Sequence, residues 1–116
     1  MKFLLLNYMD EKAMLNLPRE EAGRTHAAYM AYLEAMKTAG VLVANHGLRP
    51  TPEAVTVRAP GGRQSVVNGP FAETKEQLGG YYIIDVPNLD EALKWAAKCP
   101  SAAIGSIEVR PVMEFE

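Results

Sequence analysis

The sequence predicts an α+β domain with one sheet, two helices on one of its faces, and an inserted β-hairpin. Three observations lead there. Two segments, Pro18 to Gly40 and Asn88 to Cys99, carry helix start signals followed by apolar residues at steps of three and four. Short runs rich in Leu, Ile, Val and Tyr lie before, between and after them, which is strand composition. Two of those runs flank Pro60-Gly61-Gly62-Arg63, a tight-turn signal that joins strands into a hairpin.

The elements follow in order. Residues 2–9 (KFLLLNYM) are apolar on both alternating faces, which suggests a strand covered on both sides. Pro18, then Arg19-Glu20-Glu21, opens the first long helix, with acids where the helix dipole favours them. It is expected to run to about Ala39 and stop at Gly40. Its predicted inward stripe is Ala22, His26, Met30, Leu33 and Met36, flanked by Tyr29. Residues 41–46 are a second strand, 54–59 and 64–68 the hairpin, and 80–86 the strand that returns to the sheet. Asn88 caps a second helix over about 89–99, with Glu91 as its capping partner and Leu89, Ala92, Leu93 and Ala96 as its stripe. The last strand is 106–113. Strand, helix, strand, hairpin, strand, helix, strand is a ferredoxin-like order in a single domain over 1–116.

Composition excludes several function classes. With 116 residues, 48% hydrophobic and 22% charged, the chain is ordinary for one globular domain. A net charge of −2, with Lys and Arg never adjacent, argues against direct nucleic-acid binding. The one cysteine, Cys99, cannot form an internal disulfide and reads as a buried structural thiol in a reducing compartment. No run approaches a membrane span, and the apolar start at Phe3–Leu6 lacks a signal-peptide cleavage site, so a cytoplasmic location is expected. Two histidines and one cysteine, far apart, make a poor metal set, and no nucleotide or cofactor motif is present. Metal and cofactor are expected to be absent.

Alternation assigns the sheet faces. Ile107 and Val109 oppose Glu108 and Arg110, and Tyr81, Ile83 and Asp85 oppose Tyr82 and Ile84. The helix-free face should therefore be mixed apolar and charged, and such faces are seldom left in water. A homodimer with a ligand-sized space between the sheets is the expectation.

Candidate site residues come from two places. His26, on the first helix, reads from its place in the inward stripe first as a core histidine; the alternative is acid–base work at a pocket rim, because imidazole titrates near neutral pH. The stretch from Val67 to Asp85 holds Gly69-Pro70, which forces a tight turn, then Phe71 as a buried anchor and Gly79-Gly80. It reads either as an ordered crossover or as a binding loop offering Asn68, the Gly69 amide and Glu73. Arg58, Arg49 and Arg110 are candidates for an anionic ligand or for pairing with carboxylates, and Tyr82 or Tyr81 for lining the space between sheets. His46, after Ala44 and Leu42 on one face, is a turn or pocket-lining residue.

The run NGPFAETKEQLGGYY, the Arg24-x-His26-x-x-Tyr29 pattern, Gly47-Leu48-Arg49-Pro50, Asp90-Glu91-Ala92-Leu93-x-Trp95 and the ending Ile107-Glu108-Val109-Arg110-Pro111 together resemble the YCII-related (DGPF-domain) family along nearly the whole chain. The resemblance implies a dimeric α/β barrel built on ferredoxin-like subunits. It implies an active-site pair made of a helix histidine, here His26, and the first residue of the DGPF motif. It also implies lyase-like chemistry on small cyclic compounds in some relatives, and in others a non-catalytic module beside sigma-factor regulation. The chain departs from the pattern at Asn68, which stands where the motif has aspartate. An amide offers a hydrogen bond but no charge to an imidazolium; the same exchange in a serine-protease triad lowers turnover by about four orders of magnitude. Acid–base chemistry by His26 and Asn68 is thus expected to be weak unless Glu73 substitutes.

Overall fold

A computed structural model of the chain describes residues 1–115. Its centre is a four-stranded antiparallel sheet formed by β1 (Lys2–Met9), β2 (Leu42–Gly47), β5 (Gln77–Asp85) and β6 (Ser106–Pro111), in the order β2-β5-β1-β6. The long helix α2 (Arg19–Thr38) and α3 (Leu89–Lys98) cover one face, so the domain is ferredoxin-like. β3 (Val55–Arg58) and β4 (Ser65–Asn68) pair only with each other, as a separate two-stranded hairpin. Two short helices that the sequence did not announce complete the chain: α1 (Glu11–Leu15) and α4 (Ser101–Ile104).

Register decides which residues enter the core. Phe3, Leu5 and Asn7 on β1 stand opposite Ile84, Tyr82 and Gly80 on β5, and all six lie on the helix side. With Tyr32, Met36, Val86, Ala92, Ala96 and Cys99 they enclose the apolar interior, where Phe3, Leu5, Met36 and Ile84 have no exposed surface. At roughly 25 cal/mol per Å² of apolar surface removed from water, this layer is what stabilises the fold. Tyr32 ties the two helices together. Its ring meets Tyr82 edge-on at 5.3 Å, and its hydroxyl donates to the Trp95 carbonyl at 2.8 Å. Cys99 is buried as expected, with its thiol directed at the Asn7 side chain, and burial pushes that thiol's pKa up.

Two sequence expectations change here. The inward stripe of α2 is Thr25, Tyr29, Tyr32, Leu33 and Met36, while Ala22, His26 and Met30 are exposed. The helix is rotated towards its tyrosines because two aromatic rings bury more surface than Ala22 and Met30, and both hydroxyls find partners inside. At α3 the cap is half of the predicted box: Asn88 accepts from the Glu91 amide at 3.0 Å, but the Glu91 carboxylate pairs with Lys94 at 3.1 Å.

Candidate functional site

Recessed surface gathers at the end of the sheet where β1 stops and β5 begins. Asp10 starts α1 there, its carboxylate accepting the Lys12 and Ala13 amides at 3.1 and 3.2 Å. Glu11 then fixes the helix on two sides. Its amide donates to the Gln77 side-chain oxygen at 3.0 Å, and its carboxylate accepts the amide and hydroxyl of Thr51. Held in this way, α1 separates two cavities.

The larger, about 360 Å³, lies between α1, the first turns of α2, and α4. Met9, Ala13, Met14, Leu17 and Ile104 give it an apolar lining, and Asp10, Glu21, Arg24 and Thr25 supply the polar groups. Its Met9 wall is anchored from behind. The Tyr29 hydroxyl is 2.5 Å from the fully buried Ser101 hydroxyl and donates to the Met9 sulfur at 3.1 Å. Burial raises the pKa of the Tyr29 phenol, so it stays a neutral donor. The smaller cavity, about 160 Å³, lies on the other side of α1, against Leu48, Arg49 and Pro50.

A second group of polar side chains sits on the helix-free face. His46 Nδ1 and the Tyr81 hydroxyl are 2.7 Å apart. They open a row across the sheet, His46, Tyr81, Leu6, Glu108, next to a row of Ala44, Ile83, Leu4 and Arg110. Simple alternation would place His46 with Leu42. A bulge between Leu42 and Ala44 instead sends Leu42 to the helix side and leaves Ala44 and His46 on the free face. Arg110 pairs with Glu108 at 3.3 Å and Arg49 with Glu53 at 3.0 Å, as expected of arginines beside carboxylates.

The seven predicted site residues are not brought together within one chain. His26 is exposed on α2, beside Thr25 of the larger cavity but not lining it, and no hydrogen bond joins it to Asn68 among the described residues. Asn68, Arg58 and Glu73 are exposed on or next to the hairpin. Gly69 closes the hairpin base: at φ +104°, a conformation open to glycine, its amide donates to Ala54 and its carbonyl accepts from Thr56. Phe71, expected as a buried anchor, is 77% exposed, because the loop it follows has no third strand to pack on. Tyr82 is buried under the helices, and Tyr81 is the tyrosine of the free face. Sequence reasoning missed the roles of Arg24, Thr25 and Met14. The signal that could have found them is Asp10 followed by a short apolar helix, a cap ahead of Ala13, Met14 and Leu15. Among the described residues, no group of three or more His, Cys, Asp or Glu is placed to hold a metal ion, and no helix is long and apolar enough to cross a membrane.

Fold and cavities together define a small ferredoxin-like α+β protein with its recessed surface at one end of the sheet. The chain belongs to the YCII-related family: residues 1–116 match the YCII-related domain. It is 41% identical over 118 residues to an uncharacterised protein of Rhizobium meliloti (strain 1021), covering 100% of this chain and 95% of that one. Among solved structures it is similar to the 5-chloro-2-hydroxyhydroquinone dehydrochlorinase TftG of Burkholderia phenoliruptrix AC1100, in complex with 2,5-dihydroxybenzoquinone. That similarity has a TM-score of 0.56 and 17% identity, and covers 99% of this chain and 96% of the other. At that identity the likeness is one of fold.

Proposed function

We propose that this YCII-related protein binds a small cyclic compound in the cavity between α1, α2 and α4, and does so as a cytoplasmic homodimer. The observation that carries the reading is the cavity itself. About 360 Å³ falls within the range of small-molecule sites, and a mostly apolar lining with a few convergent polar groups is their usual make-up. Arg24 can meet an anionic oxygen through two N–H groups, while Asp10 and Glu21 accept from ring hydroxyls. Met9 and Met14 adapt to the faces of a ring. The dihydroxybenzoquinone in the related dehydrochlorinase supports a ligand of this size and type. His26 and Asn68 both stay outside this site: His26 is exposed on α2 without lining the cavity, and Asn68 is exposed on the hairpin. The dimer reading rests on the half-buried Leu4, Leu6, Tyr81 and Ile83 of the helix-free face.

Isothermal titration with 2,5-dihydroxybenzoquinone and with hydroxybenzoates tests the site. Saturable binding is expected, weakened at least ~10-fold in Arg24→Ala through loss of a charge-assisted contact. It is expected to vanish in Met14→Trp, which fills the cavity. Wild-type affinity in a folded Met14→Trp protein would overturn the assignment.

A further inference from the structure

The two cavities beside α1 share a wall: Met9 and Met14 line both of them. The two side chains are held differently. The Tyr29 and Ser101 hydroxyls meet the Met9 sulfur at 3.1 and 3.5 Å, and the Met9 methyl lies over Gly79, 3.3 Å from where a side chain there would begin. Met14 is half-buried, and no hydroxyl or amide holds its sulfur among the described residues. The backbone of α1 is itself tied down, through Asp10 and Glu11. The movable part of the partition is therefore the Met14 side chain. Unbranched and with three rotatable bonds, it can change rotamer while the helix stays in place.

The cavities differ in what they offer a guest. In the larger, Arg24 has no ion-pair partner among the described residues, so its guanidinium is available to an anion. In the smaller, every polar side chain is already engaged. Thr51 holds the Glu11 carboxylate, the Glu11 and Thr74 backbones hold the Gln77 amide, and Glu53 holds Arg49 Nε. A polar guest there would break a bond for each one it made, which favours an apolar group against Leu48, Pro50 and Leu78.

Size points the same way. At about 160 Å³ the smaller cavity is below the roughly 300 Å³ at which sites for whole drug-sized ligands begin, and close to the roughly 150 Å³ that accommodates a benzene-sized guest. It suits a substituent of a larger molecule.

We propose that Met14 is a gate between two parts of one binding site, which takes a ring carrying an anionic oxygen and a short alkyl arm. The anion lies against Arg24, and the arm passes Met14 to reach Leu48 and Leu78. This rests on the ring-binding reading above and adds the shape of the ligand and the residue that selects it.

Isothermal titration of the full chain with salicylate and with its 4-, 5- and 6-propyl derivatives tests it. Burial of a methylene is worth roughly fourfold in affinity, part of it offset by moving Met14, so at least one derivative is expected to bind at least ~10-fold more tightly than salicylate. In Leu48→Trp, whose indole occupies the smaller cavity, that advantage is expected to be lost. Independently of any variant, nuclear Overhauser effects in the wild-type complex are expected from the propyl protons to the Leu48 and Leu78 methyls. Three results overturn the gate and leave the ring site standing: salicylate binding with no derivative reaching that gain, an undiminished gain in folded Leu48→Trp, or propyl contacts confined to Leu17 and Ile104 of the larger cavity. Failure of all four compounds to bind overturns both.

Discussion

Two antiparallel strand pairs in this molecule use the same local chemistry and end in opposite situations. β1 and β5 alternate apolar side chains, and the side facing the helices, Phe3, Leu5, Tyr82 and Ile84, is buried. β3 and β4 also alternate, and their valines stay more than half exposed. The ladder hydrogen bonds are alike in kind and contribute modestly, because water competes for the same groups. The difference is the layer on top. Pairing shapes a strand, and cover stabilises it. A hairpin without cover is therefore a surface that a second molecule can use.

The largest expected effect falls on the covered pair. Phe3→Ala should cost about 3–5 kcal/mol of folding stability in urea titrations, through lost transfer energy and the cavity left behind. A loss below 1 kcal/mol would mean the sheet does not carry the core. Alkaline pH should then act on the body alone. Burial raises Tyr82 to about 12 and raises Tyr32, Tyr29 and Cys99 as well. The unfolded chain ionises these groups near their ordinary values, 9.0 for the thiol and 10.0 for the phenols, while the folded chain keeps them protonated. Their contribution is complete below pH 9 and declines as pH rises towards 12. The urea midpoint should therefore fall steadily above pH 9, and a flat profile would place the tyrosines in solvent.

Smaller effects sharpen the contrast. Asn88→Ala removes the one side-chain cap of α3 and should cost about 1 kcal/mol, read from the same titrations. Val57→Ser should cost under about 0.5 kcal/mol in the same titrations, since Val57 is more than half exposed. A loss well above that would mean the arm packs on its own chain.

Most of the fold could be read from the sequence. The long helix, its end before Gly40, the hairpin, the Asn88 cap and the last strand all fall within a few residues of expectation. These signals are local, set by capping chemistry, turn residues and periodicity. The site was harder to read. His26 falls outside the inward stripe because α2 turns its tyrosines to Ser101 and the Trp95 carbonyl, partners more than sixty residues away in sequence. A bulge after Leu42 moved His46 onto the free face, and a single inserted residue leaves no mark in a pattern of alternation. Phe71 looked like an anchor because phenylalanine is usually buried; the loop simply has nothing above it.

By itself, then, the sequence determined the order and type of the main elements, the ferredoxin-like arrangement and the family, because caps, turns and hydrophobic periods act over a few residues. Only the tertiary structure decided which way α2 faces, where the cavities open, and that the hairpin stands uncovered. Those outcomes depend on which distant surfaces meet, and burial energy belongs to the pair of surfaces, not to either segment alone.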